Sequence, residues 1–408
     1  MQNQHKQNKR IITHKRPVKR SKRPFGFNVI GYVSRNLGLG VMSRSLIQLL
    51  IEHGYPVAIH DLNPIGVFHK RFDESYKDLF VQSVDKLPYA INLFTLPARD
   101  ATEFLFFDLS RLLRRHHSLN VFCPMWELDI FPVIWVKALQ LCDVIVSQSD
   151  FVSSTCAKYL PELPILSAEQ PLYFPRGVKA CRARFGLPED ATIFVFSFEP
   201  RSDIERKNPS GLIKAFRRAF RNQSSAHLVI KVNNAYGNEC AHSVVKQLKA
   251  LSNNDPRIHL ITEDLTYLEI LNLYASCDVF VSLHRSEGLG LGMMEAMQLG
   301  KPVIATAWSG NMTYMNDANS CLVRYKLIPA KGIIKCYQQH FVGKNAFWAN
   351  PDIDDAAAWM RKLADNVNLR KSIGTRAARD MAHYQKQARR GFFIEKIRDL
   401  WHRKVSKT

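Results

Sequence analysis

The chain has 408 residues, 46% hydrophobic and 23% charged, and carries a formal net charge of +21. Its length accommodates two α/β domains, and its apolar content supports real cores rather than a disordered polymer. No apolar run approaches the roughly 18 to 20 residues of a membrane-spanning helix, and the N-terminus lacks the apolar segment of a secretory signal, so a cytoplasmic protein is expected.

In chain order, residues 1–24 come first, with nine Lys or Arg and no acid. Such a segment reads as a disordered basic tail attracted to anionic membrane lipid. Nucleic acid ranks below membrane because no aromatics are interleaved, and a solvated tail without partner is the plain alternative. A second basic excess lies in 370–408, with twelve Lys or Arg against Asp380, Glu395 and Asp399. Phe27 to Val33 is a first buried strand, followed by the turn SRNLGLG, a helix over Val41 to His53 and a strand over Pro56 to His60. That order opens an α/β domain. Further strands are expected at Ala90 to Phe94, Leu119 to Cys123 and Val144 to Ser147, with helices over Ala101 to His117, Ile134 to Cys142 and Phe151 to Tyr159. The proline-rich stretch Pro161 to Arg176 is placed as the interdomain connection. Beyond it, Thr192 to Phe198, Leu228 to Val232, Ile258 to Ile261, Val279 to Leu283 and Val303 to Thr306 continue the strand series. Tyr325 to Asn350 reads as a surface excursion, and Gln385 to Arg403 as one last helical stretch. The expected layout is a basic tail at 1–24, domains at 25–175 and 176–384, and a terminal helix within 385–408. Two doubly wound parallel sheets follow from the alternation. Eight cysteines at irregular spacings, with no C-x-x-C pair, argue against zinc and against a disulfide framework.

The most informative segment is EGLGLGMMEAMQLGKPVIAT, residues 287–306. A buried strand feeds a glycine turn and then a helix, whose first amides and partial positive charge suit a phosphate. Glu287 precedes the turn and Glu295 lies on the helix, with seven residues between them, so both can reach hydroxyls flanking a bound diphosphate. A second cluster, RSDIERKN at 201–208, places Arg201, Arg206 and Lys207 between a buried strand and the helix opened by Pro209. Paired cations there stabilise a departing nucleoside diphosphate more in the transition state than in the ground state.

Together the two segments resemble the Glu-x7-Glu signature and the paired basic residues of the retaining glycosyltransferases of family 4, which have two Rossmann-like domains in the GT-B fold. The resemblance covers nearly the whole chain after residue 25. It implies that Glu295 grips ribose hydroxyls and Glu287 lies beside the donor sugar. It places Arg201 and Lys207 on the diphosphate, with Arg206 as the alternative arginine. Gly288, Leu289 and Gly290 then present backbone to sugar and phosphate, with Gly38 and Gly40 in a first-domain loop near the diphosphate and His284 as a further donor contact. Many family members carry a histidine where this chain has Trp126-Glu127, so Glu127 becomes the candidate for handling the acceptor proton. Similar Trp-Glu-Leu and Trp-Ala-x-Pro-Asp runs (here 126–128 and 348–352) occur in bacterial enzymes of surface-polysaccharide assembly. A crossing of the C-terminal helix back to the first domain rests on the same analogy.

Asp352-Ile353-Asp354 has the outward form of a metal-binding D-x-D motif but precedes a helix, where Asp is a preferred cap. No cofactor and no metal are expected. The expected partners are a nucleotide sugar, GDP-mannose first and UDP-hexoses next, and a saccharide or lipid-linked acceptor at the inner face of a membrane. The alternatives are an epimerase or sugar phosphorylase of the same fold, or a non-catalytic basic binding protein on a degenerate scaffold.

Overall fold

The alternating apolar and amphipathic segments resolve into two six-stranded sheets whose paired strands all run parallel. The computed structural model describes residues 23–35, 38–62, 73, 75–221, 225–235 and 239–407. Almost all of the basic N-terminal tail lies outside them. The first sheet contains β1 (Phe27–Gly31), β2 (Val57–Asp61), β3 (Ile91–Pro97), β4 (Leu119–Met125), β5 (Val144–Ser147) and β6 (Ile165–Ser167), in the order β2-β1-β3-β4-β5-β6. The second contains β7 (Thr192–Phe198), β8 (Ala226–Val232), β9 (Ile258–Ile261), β10 (Val279–Ser282), β11 (Val303–Thr306) and β12 (Cys321–Val323), in the order β12-β11-β10-β7-β8-β9.

Each sheet is buried on both faces, which is why its strands read as continuous apolar runs. In β1, Val29 joins the cluster on one face and Ile30 the cluster on the other; in β7, Val195 and Phe196 divide in the same way. Two six-stranded parallel sheets with flanking helices are the GT-B arrangement of two Rossmann-like domains.

Three sequence expectations need correction. Residues 101–117 do not form one helix but break into short turns at Ala101–Glu103, Phe104–Asp108 and Ser110–Leu113. The final stretch is likewise two helices, Val367–Ala388 and Phe392–Ser406. Gly391, at φ +61°, separates them, and an added Cβ there would lie 2.9 Å from Ile394 and 3.1 Å from His53. The second of these helices seats Phe393, Ile394 and Ile397 in the core of the first sheet. Its end is held by Trp401 Nε1 donating to the His117 carbonyl and Lys404 donating to Asp143.

The third correction concerns the excursion. It begins and ends in an antiparallel hairpin, β13 (Tyr325–Pro329) with β14 (Phe347–Pro351), and its tip is buried. Cys336, Tyr337, Val342 and Trp348 join the first domain's Phe122, Trp126, Phe131 and Trp135 in one cluster. The Trp126 and Tyr337 rings stack 5.4 Å apart at 6°. The excursion is a strap across the domain boundary. Asp352 caps the next helix, Ile353–Asp365, by accepting from the amides of Asp354 and Asp355.

Candidate active site

Each sheet reverses strand order once, between β1 and β3 in the first and between β7 and β10 in the second. In doubly wound sheets ligands sit beyond the carboxyl ends of the strands at that reversal. A cavity of about 410 Å³ lies between the two reversals, lined by Tyr32 and Arg99 on one side and by Arg201, Lys207, Glu287 and Glu295 on the other.

The loop after β7 owes its shape to two non-glycine residues at positive φ, Asp203 (+74°) and Asn208 (+52°). Asp and Asn tolerate this region because their short side chains bond nearby backbone. Asp203 accepts from the amides of Glu205 and Arg206, and also from Ile334 of the strap. Asn208 caps the helix Pro209–Ala219 through the Gly211 amide and donates to the Leu283 carbonyl. The cations between them are thereby presented to the end of β10.

Arg206 is 2% exposed and ties two carboxylates together. Its Nη1 lies 3.4 Å from Glu287 Oε2 and its Nη2 3.4 Å from Glu127 Oε1. Nη1 also donates to the Ser286 carbonyl at 2.7 Å, and Nε to the Ser202 carbonyl at 3.0 Å. A guanidinium so fully engaged organises the site; Arg201 and Lys207 are the cations better placed to meet a ligand. Arg201 pairs with Glu199 at 2.8 Å, and Lys207 Nζ donates to Glu287 Oε1 at 2.5 Å. Burial alone would raise the Glu287 carboxyl, but Lys207 and Arg206 outweigh it and hold the group at about 2. Among the described residues no such cation acts on Glu295. Burial pushes it up to about 8, offset in part by Tyr267.

Gly288, Leu289 and Gly290 line the cavity between these acids. Gly290, at φ +87°, starts the helix Leu291–Gln298 without a side-chain cap. At Gly288 the two domains touch, since an added Cβ would stand 2.6 Å from the Trp126 carbonyl oxygen. Ser149 Oγ donates to the Gly288 carbonyl at 2.5 Å, and Ser286 Oγ donates to the Glu127 carbonyl. Gly38 also lines the cavity.

Two of the sequence candidates do not line it. His284 is fully buried behind the wall, with its ring nitrogens at Ser282 Oγ, the Trp308 carbonyl and Asn311 Oδ1. It is a packed, hydrogen-bonded histidine. Gly40 is needed for close packing: a Cβ there would lie 1.9 Å from the Arg35 carbonyl oxygen. Sequence reasoning missed Tyr337, whose hydroxyl donates to Glu127 Oε2 at 2.7 Å. The strap that carries it reads from sequence as a surface excursion. Its apolar residues, Cys336, Tyr337, Val342 and Trp348 among them, were the available signal.

Residues 180–326 match the family described as glycosyl transferases group 1. That stretch is similar to the family over about a third of the chain. A sulfoquinovosyl transferase of Arabidopsis thaliana is 31% identical over 121 residues, 29% of this chain and 19% of that protein. The chain thus spans about a fifth of the curated relative it matches. The fold extends further than the sequence similarity. A sucrose-phosphate synthase from Thermosynechococcus elongatus superposes with a TM-score of 0.63 at 12% identity, covering 93% of this chain and 99% of that one. The Anabaena protein HepE, in complex with UDP and glucose, gives 0.55 at 14% identity, covering 94% and 100%. The matched segment contributes β7 to β12, the cation loop and both glutamates to the site.

Proposed function

We propose that the protein is a retaining glycosyltransferase of family 4 that moves a hexosyl group from a nucleoside-diphosphate sugar to a hydroxyl of a saccharide or lipid-linked acceptor. The observation that carries this reading is the Lys207–Glu287–Arg206–Glu127 charge cluster set against the Gly288–Gly290 turn inside a cavity between two domains. The turn's backbone and the helix behind it receive the pyrophosphate. Lys207 has three N–H donors and can hold Glu287 and a phosphate oxygen together, while Arg201 closes on the same charge. These cations act most strongly as the pyrophosphate departs and its charge grows. Glu287 lies beside the sugar, and Glu295 grips the ribose. Glu127, fixed by Arg206 and Tyr337, receives or relays the acceptor proton in a front-face displacement to which the leaving phosphate oxygen also contributes.

The guanidinium and ammonium groups supply the positive charge that the reaction needs, so the transfer is proposed to run without a metal. Mannose from GDP-mannose is the favoured donor sugar, by likeness to the polysaccharide-assembly subgroup; the UDP and glucose bound by HepE put UDP-hexoses next in the panel. The setting proposed is cell-surface polysaccharide or lipopolysaccharide assembly, on the inner face of a membrane reached through the basic segments. Among the described residues no helix is long and apolar enough to cross one.

The test is a thermal-shift panel of GDP- and UDP-sugars, followed by product analysis with the stabilising donor in the presence and absence of chelator. A donor that raises the melting point and gives an anomerically retained, chelator-insensitive product is the expected result. Donor converted to an epimer without transfer, or no nucleotide sugar bound, would overturn it.

A further inference from the structure

The reversal between β1 and β3 forms the first-domain side of the cavity between the two domains, a crevice at the carboxyl ends of the strands. Tyr32 and Arg35 follow β1, Arg99 and Asp100 follow β3, and all four line the cavity. They form one connected arc. The Arg35 guanidinium carbon stands 3.9 Å over the Tyr32 ring centroid. Tyr32 OH donates to Asp100 Oδ2 at 2.9 Å, and Asp100 Oδ1 lies 3.4 Å from Arg99 Nε. A single carboxylate therefore sets both a tyrosine, with the arginine stacked on it, and a second arginine. Arg99 keeps 36% of its side chain exposed.

From the other domain, Arg201 faces the same space. Burial lowers the Arg35 guanidinium, Tyr32 opposes it and the like charge of Arg201 adds to it, for a net value of about 10. Guanidiniums from opposite domains thus line one cavity with like charge. An anion seated in that space meets positive charge from both sides. Guanidinium forks bind phosphoryl oxygens through paired, charge-assisted hydrogen bonds.

We propose that this crevice is an acceptor subsite selective for a phosphoryl group, with Arg35 and Arg99 reading a phosphate carried by the acceptor while its hydroxyl points toward Glu127. The assignment deepens the transferase reading and rests on it for the word acceptor. The phosphoryl group has two possible carriers, a monosaccharide phosphate or the diphosphate joining a saccharide to a lipid, and the arms of the test separate them.

The test is calorimetric titration of the full chain, saturated with UDP or GDP, in two arms. One arm compares mannose 6-phosphate and glucose 6-phosphate with the free hexoses. The other compares a polyprenyl-diphosphate-linked monosaccharide in detergent micelles with the matching uncharged alkyl glycoside. In one arm the phosphorylated probe is expected to bind at least about tenfold tighter than its neutral counterpart. Arg35→Gln and Arg99→Gln each remove about 10- to 100-fold of that preference and leave the nucleotide affinity unchanged. Arg99→Gln, at the more exposed position, serves if Arg35→Gln fails to fold. Equal binding of charged and neutral probes in both arms overturns the proposal. So does a loss that falls on UDP and GDP, because the arginines would then serve the donor pyrophosphate. If phosphate-dependent binding persists but no nucleotide sugar is turned over, the subsite stands and the transferase reading fails.

Discussion

Glu295 gives the sharpest test of how the donor is held. Its carboxyl is 4% exposed, and burial holds it at about 8 in the folded protein against an ordinary 4.5. Below pH 4.5 the group is protonated whether the chain is folded or not. Between 4.5 and about 8 only the folded chain retains the proton, so folding becomes less favourable as pH rises through that window. At about 1.36 kcal/mol per pH unit, the accumulated penalty reaches roughly 5 kcal/mol above pH 8. Ribose hydroxyls are donors and favour the carboxylate, so nucleotide binding should expel this proton. At pH 7 a group titrating near 8 is about nine-tenths protonated, which predicts release of about 0.9 proton per nucleotide bound. Affinity should then rise up to about tenfold per pH unit from pH 6 to 8 and level off above. Titrating UDP and GDP calorimetrically in buffers of different ionisation enthalpy counts the proton directly. Glu295→Gln should abolish the release, weaken nucleotide binding and melt higher than wild type above pH 8. If wild type releases no more protons than Glu295→Gln, and the two lose stability in parallel from pH 6 to 9, the carboxyl is not a neutral group awaiting a ribose.

Glu287→Gln should lower turnover at least ~10²-fold while nucleotide still binds, because it removes the counter-charge of Lys207 and Arg206 beside the reacting sugar. The same change should erase about 3 kcal/mol of stability that wild type has above pH 4.5 and loses as pH falls toward 2, which denaturant melts between pH 3 and 7 would detect. Tyr337→Phe keeps the stack on Trp126 and removes one hydrogen bond to Glu127; turnover should fall about tenfold with the donor KM unmoved, and a Glu127→Gln background should hide the effect. Gly288→Ala sets a Cβ 2.6 Å from the Trp126 carbonyl oxygen and should wedge the cleft open, seen as a larger radius of gyration by X-ray scattering together with lost transfer.

Much of the fold was legible because parallel strands buried on both faces leave unbroken apolar runs, as at Thr192 to Phe198. What escaped had weaker local signals. β6 is a three-residue edge strand inside a proline-rich stretch, half-buried to exposed, so nothing in its own composition marks it. The helix Tyr267–Ser276 went unassigned although Thr266 and Glu269 form a capping box that the sequence displays. Within the site, residue type and spacing identified the two glutamates and the cation loop. They could not divide the labour between Arg201 and Arg206, because that depends on Glu127 approaching from the other domain. His284 looked available for the same reason, since only the fold brings Trp308 and Asn311 against its ring.

The strap explains why Glu127 can serve a site built mainly by the second domain. Its carboxylate is held by Arg206 from the loop after β7 and by Tyr337 from the strap, while its backbone carbonyl accepts from Ser286. All three partners belong to the second domain, whereas Glu127 follows β4 of the first. Separating the domains therefore pulls Glu127 out of the charge cluster and leaves Arg206 buried beside Glu287 alone. It also exposes the stacked Trp126 and Tyr337 rings. Opening costs hydrogen bonds and apolar burial together, so the fully assembled cluster exists only when the cleft is shut. If Glu127 handles the acceptor proton as proposed, it is present at the reacting centre when water is excluded and withdrawn when the cleft is open to solvent, an arrangement that would favour transfer to an acceptor over hydrolysis of the donor.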